Sequence, residues 1–219
     1  MPVQNETELI SFDGWTLRVR PAATRPARLL LLIHGFKGDE NSMWVFARDL
    51  RPDYWILAPR APHAVDGGGF SWRLLQSNVI NRPSLEMLEP ALEALLHVVD
   101  AYAASVGVDA SQFDLLGFSQ GATMTNLIAL LHPERVRKAG VLSGFMPDHV
   151  EELIARKPLE GKPLFVAHGT QDDTVPIDEA RRSIALLEQA GANVTYCEDE
   201  VGHKLSAACL RALKDFLKD

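Results

Sequence analysis

Residues 29–33 read Leu-Leu-Leu-Leu-Ile, five aliphatic side chains in a row with no polar alternation. A strand of this kind has no face to give to water, so it belongs inside a sheet that is covered on both sides. The remainder of the chain offers the covering. Short apolar runs at 54–57, 113–118, 139–142, 164–167 and 194–197 alternate with segments of helical period at 83–102, 120–131, 176–190 and 204–217. In the first of these segments Leu85, Leu88, Leu92, Leu95, Val99 and Tyr102 recur at three- and four-residue spacing, the stripe by which a helix rests on a core. The expectation is an α/β fold, a mostly parallel central sheet with helices on both faces. Its beginning differs, because the runs 9–12 and 15–19 flank Asp13-Gly14, a dipeptide suited to a tight turn, so an antiparallel hairpin opens the fold.

A chain of 219 residues without repeat or linker is read as a single domain, 1–219, large enough to bury one core unaided. The net charge of -7, with basic residues scattered, argues against a nucleic-acid partner, whose phosphates require clustered cations. No apolar run approaches the length of a bilayer span, so membrane insertion is not expected. Cys197 and Cys209 form neither a CxxC pair nor a framework and read as free thiols of a reducing compartment, with one disulfide between them as the alternative. Together with an amino terminus that carries Glu6 and Glu8 and lacks a secretory apolar stretch, they give a cytoplasmic expectation.

Gly117-Phe118-Ser119-Gln120-Gly121 falls where the run 113–118 hands over to the helical segment 120–131. In that context Gly-x-Ser-x-Gly makes a turn too sharp for neighbouring side chains, and the serine is pushed out above the sheet as a nucleophile. A serine hydroxyl needs a base to take its proton and a carboxylate to orient that base. With this turn the acid and then the histidine follow the serine in sequence, which removes His34, His63 and His97. His132 and His149 read as surface residues, and His168 as a loop support that precedes the acids. His203, after the last strand and Gly202, is the expected base. The acid comes from the turn after 164–167, where Asp172 and Asp173 stand side by side and spacing does not choose between them. An oxyanion hole completes the requirement, with backbone N–H groups of Gln120 and of Phe36, the latter in a loop shaped by His34 and Gly35.

The loop 60–82 has no sustained period and carries Gly67, Gly68 and Gly69 before Phe70 and Trp72, which are expected to border a substrate site. Asn41 or Ser42 is expected to cap a helix running to about Leu50. The interval between 142 and 164 is too short for a large cap domain, so the site should be open.

These pieces resemble the phospholipase/carboxylesterase family of α/β hydrolases along nearly the whole chain. The matching residues are His34-Gly35, Ala61-Pro62 with Ser71-Trp72, the turn 117–121, His168-Gly169-Thr170-Gln171-Asp172 with Val175-Pro176, and Gly202-His203. The resemblance implies the α/β-hydrolase fold, and it assigns the acid to Asp172 as the fifth residue of its His-Gly motif. It further implies a serine carboxylesterase acting on short- to medium-chain esters without metal or cofactor. The expected partner is a small-molecule ester, with room for a homodimer. An acyl thioesterase or lysophospholipase would use the same residues, and a non-catalytic receptor on the same fold is the remote alternative. Two departures are visible: Phe36 and Lys37 both stand between His34-Gly35 and Gly38-Asp39, and Arg73-Leu74 follow Trp72 where the family often has Phe-Asp.

Overall fold

The computed structural model describes residues 6–47, 50–74 and 82–218. Its frame is an eight-stranded sheet. In chain order the strands are β1 (Glu8–Phe12), β2 (Trp15–Arg20), β3 (Arg28–Ile33), β4 (Tyr54–Pro59), the two-residue pair β5 (His63–Ala64) and β6 (Phe70–Ser71), β7 (Phe113–Phe118), β8 (Val136–Leu142), β9 (Pro163–Gly169) and β10 (Asn193–Asp199). The large sheet runs β1-β2-β4-β3-β7-β8-β9-β10, while β5 and β6 pair only with each other. From β4 to β10 every neighbour is parallel, and the antiparallel pairs of the large sheet are β1 with β2 and β2 with β4. The hairpin turns at Asp13 and Gly14, both at positive φ as the dipeptide predicts.

The period of two along each strand divides the core. Leu29, Leu31 and Ile33 of β3 join one apolar cluster, and Leu30 and Leu32 join a second on the opposite face. Against the first face lie the helices α2 (Leu85–Val106), α3 (Gln120–Leu131) and α5 (Ile177–Gln189), with the short α4 (Glu151–Ala155) beside them. The second face is covered by the single turn α1 (Trp44–Ala47) and by α6 (Ala207–Lys218), which buries Cys209, Leu213 and Leu217. Helices on both faces and a doubly buried β3 are therefore as the apolar run requires.

Several details differ from expectation. The turn before α1 is held by Asp39, whose carboxylate accepts the Asn41 N–H and the Ser42 hydroxyl, both at 2.9 Å, rather than by Asn41 or Ser42 as cap. The described helix ends at Ala47, and residues 48 and 49 of the expected longer helix lie outside the described residues. The loop 60–82 contains the β5/β6 pair, and its part 75–81 also lies outside them. Between β8 and β9 there is only the five-residue α4, so no large cap covers the sheet.

The larger correction concerns the cysteines. Cys197 on β10 and Cys209 on α6 are joined in a disulfide, with Cα atoms 5.7 Å apart, and are not free thiols. Their spacing of 12 residues says nothing in sequence, because only the folding of α6 onto the sheet beside β10 brings them together. Cytosolic disulfides are uncommon, so the cysteines no longer speak for a reducing compartment. Closing a loop of this size stabilises a fold by about 2–3 kcal/mol in the chain-entropy account. Replacing both cysteines by serine should thus lower the melting temperature by roughly 5–10 °C in calorimetry. Reduction of the wild type should reproduce most of that drop, and an unchanged melting temperature would mean the bond adds nothing.

Candidate active site

The carboxyl ends of β3, β7, β9 and β10 lie at one edge of the sheet, the edge where α/β proteins form their ligand crevices. There β7 turns into α3 through Ser119, at φ 55° and ψ -117°. A non-glycine residue in that region is strained, and the strain is held by neighbours that leave no alternative. A Cβ on Gly117 would come within 2.2 Å of the Gly121 carbonyl oxygen, and one on Gly121 within 2.0 Å of the Ile33 carbonyl oxygen. Glycine is required at both positions so that strand, turn and helix can pack this closely. Gln120 is the first residue of α3, so its N–H has no partner within the helix.

Asp172 and His203 come from the loops after β9 and β10. Asp172 Oδ2 is 2.7 Å from His203 Nδ1, and its Oδ1 accepts the N–H groups of Thr174 and Val175, each at 2.9 Å. The carboxylate is buried and can only accept, so the hydrogen of this bond sits on Nδ1, the tautomer that in a neutral ring keeps the lone pair on Nε2. Asp173, the neighbour that spacing could not exclude, is exposed. His168 stands behind Asp172: its Nε2 donates to the Val175 carbonyl at 2.7 Å and lies 3.4 Å from Asp172 Oδ2.

Ser119 and His203 both line a cleft of about 430 Å³. It is lined by Phe36, Met43, Val45 and Phe46 from the segment after β3 and by Leu205 and Leu210 from the segment after β10, with the Phe118 ring tilted against the His203 ring at a centroid distance of 4.9 Å. Phe36, the expected loop donor, lines this cleft. Phe70 and Trp72 are not among the lining residues. Trp72 is fully buried and donates its indole N–H to the His34 carbonyl at 2.8 Å, and Phe70 carries the Arg60 guanidinium 4.6 Å above its ring. Both hold the loop that backs the site. The wall residues Met43, Val45, Phe46, Leu205 and Leu210 were missed, although each lies within about ten residues of His34 or His203. No pattern in the sequence marks them, because their facing follows from how α1 and α6 pack on the sheet.

The loop after β3 is fixed by buried polar bonds. His34 donates from Nδ1 to the Gly35 carbonyl at 2.7 Å and accepts the Ala61 N–H on Nε2 at 3.0 Å. Glu40, almost fully buried, takes two hydrogen bonds from Arg60 at 2.7 and 2.8 Å, and that guanidinium holds its carboxyl below the usual range. Burial pushes the pKa of His34 and of His168 below the ordinary histidine value.

The sheet, its strained serine turn and the Asp172-His203 pair define an α/β hydrolase. The family model of phospholipases and carboxylesterases matches residues 16–219, and the chain belongs to that family. Among its relatives, the carboxylesterase SOBER1 of Arabidopsis thaliana is 27% identical over 58% of each chain, a match that spans little more than half of that protein's length. An acyl-protein thioesterase 1 of Debaryomyces hansenii is 26% identical over 92% of this chain and 95% of its own. A probable inactive carboxylesterase of Oryza sativa subsp. japonica is 27% identical over 85% and 83%. The Bacillus cereus carboxylesterase shares the fold, with a TM-score of 0.81, 23% identity and 94% of both chains covered.

The two buried histidines have a consequence for stability. Each stays neutral in the native state at pH values where the unfolded chain binds a proton, so their contribution is complete above the ordinary histidine pKa of about 6.5 and is lost as pH falls from there toward the lowered native value. Melting temperature should therefore drop between pH 7 and pH 5. His168→Gln keeps a donor near Nε2 but does not titrate, so its deficit relative to wild type should be smaller at pH 5 than at pH 7.5; an equal deficit at both would count against the assignment.

Proposed function

We propose that the chain is a serine carboxylesterase that hydrolyses short- to medium-chain carboxylic esters with Ser119 as nucleophile, His203 as base and Asp172 as its orienting acid. The observation that carries this reading is the shared cleft: a serine on a strained turn faces the same apolar cavity as a histidine whose Nδ1 is bound to a buried carboxylate. Ser119 Oγ adds to the ester carbonyl carbon while His203 Nε2 takes the hydroxyl proton. The oxyanion receives the N–H groups of Gln120 and Phe36. The neighbouring loop donors are engaged, Lys37 N–H with the Phe70 carbonyl at 2.9 Å and Gly38 N–H with that of Gly35 at 3.0 Å, which leaves Phe36 as the loop's candidate. His203 then gives its proton to the departing alcohol, and water deprotonated by His203 releases the acid from Ser119. This chemistry calls on no metal or organic cofactor.

A mainly apolar cleft of about 430 Å³, open to solvent, suits an acyl chain of modest length. The long match to an acyl-protein thioesterase 1 favours thioesters as a second substrate class, since the same machinery serves either leaving group.

The test is hydrolysis of p-nitrophenyl esters from acetate to decanoate and of acyl thioesters. Ser119→Ala and His203→Ala should lower kcat by at least about a thousandfold, and Asp172→Asn by roughly 10²- to 10⁴-fold. Asp173→Asn should stay within about twofold of wild type, as befits an exposed carboxylate. A wild type no more active than Ser119→Ala on every substrate would overturn the reading in favour of a non-catalytic receptor.

A further inference from the structure

The Gln120 side chain is not used by the mechanism above, which calls only on its backbone N–H. Yet it grips the segment against which the loop bearing Phe36 is bonded. Its Oε1 accepts the Trp72 N–H at 3.0 Å, and its Nε2 donates to Ser71 Oγ at 3.1 Å. Ser71 is buried, and its one hydroxyl hydrogen goes to the Arg73 carbonyl at 2.8 Å, so Oγ is an acceptor toward Gln120 and the amide has a single satisfied orientation. The segment it grips is in turn bonded to the loop that follows β3. Phe70 donates its N–H to the Gly38 carbonyl at 3.0 Å and accepts the Lys37 N–H, on either side of which the loop bears Phe36 and Gly38. Trp72 reaches the same loop through its indole N–H on the His34 carbonyl, with the two rings 5.2 Å apart. On its other flank the loop abuts the nucleophile turn, where a Cβ on Gly35 would stand 3.1 Å from Ser119 Cβ.

We propose that the Gln120 side-chain amide is a positioning group for the oxyanion hole: through Ser71 and Trp72 it fixes the distance between the Phe36 N–H and the N–H of Gln120 itself. The inference rests on the esterase reading and deepens it. Two donors converge on one oxygen only if the segments that carry them are held in register, and α3 and the 35–38 loop belong to different parts of the chain. The loop's own bonds, His34 to Gly35 and to Ala61, set its shape. Gln120 sets its place relative to Ser119. A donor displaced by about 1 Å loses much of its value at the transition state, while the ground-state complex, held by the apolar walls, is little affected.

The experiment compares wild type, Gln120→Met, Ser71→Ala and the double variant by steady-state kinetics on the best p-nitrophenyl ester. It adds the inhibition constant of an alkyl trifluoromethyl ketone, which forms a tetrahedral oxyanion adduct on a serine, and the melting temperature. Gln120→Met should lower kcat on the order of 10- to 100-fold with KM within about twofold, and should weaken the ketone by a similar factor. Ser71→Ala should act in the same direction but less, and the double variant should be no worse than Gln120→Met alone, since both remove one linkage. A purely structural role would lower the melting temperature and leave kcat and ketone affinity of the folded fraction unchanged; that result, in Gln120→Met or in Ser71→Ala, overturns the proposal while the esterase reading stands. A wild type as inactive as Ser119→Ala overturns both.

Discussion

The packing of α3 against the carboxyl end of β3 leaves no room for a Cβ at Gly121, and the loops at that edge of the sheet are arranged around this closeness. Because the helix starts so near the strand, the turn between β7 and α3 has only Ser119 to accomplish the reversal, and that residue accepts a backbone geometry it would otherwise avoid. The same closeness puts the first free N–H of α3 next to the loop leaving β3. A mostly parallel sheet buried on both faces is what makes such precision available, because its strands are fixed by apolar contacts above and below and cannot shift to relieve the strain.

Around this edge the protein buries polar groups in pairs that satisfy each other. Glu40 with Arg60, His34 between Gly35 and Ala61, and Asp172 with Thr174, Val175 and His203 are each nearly complete sets of donors and acceptors. Buried polar groups in such sets define one arrangement far more sharply than apolar packing alone, which tolerates sliding. The apolar layers therefore hold the sheet, and the polar sets hold the loops on it.

Much of this was legible in the sequence because it is written in local pattern. The apolar run of β3, the Asp13-Gly14 turn and the strand-to-helix setting of Gly117-Phe118-Ser119-Gln120-Gly121 each depend on neighbours within a few residues, and each lies where the pattern puts it. The pairing of Asp172 with His203 was reached through chain order and family likeness, since two adjacent aspartates look alike until one of them is buried. What stayed hidden depends on contacts across the fold. Trp72 looks like a site aromatic in a glycine-rich loop, yet its indole N–H has a partner at His34 and the ring goes inside. Cys197 and Cys209 meet only because α6 lies over β10. The cleft walls come from residues next to the site in sequence, but their facing could be known only once α1 and α6 were seen on the same side of the sheet.

The disulfide has a mechanical meaning for the cleft. The wall formed by Leu205 and Leu210 belongs to a segment whose stem on β10 is tied covalently to α6, so it is anchored at both ends. The other lining segment, from Phe36 through Phe46, is a loop and a single helical turn kept in place by hydrogen bonds. One jaw of the cleft is welded and the other is latched. Variation in the width of the cleft is therefore expected from residues 36–46, with the histidine's side serving as the fixed datum.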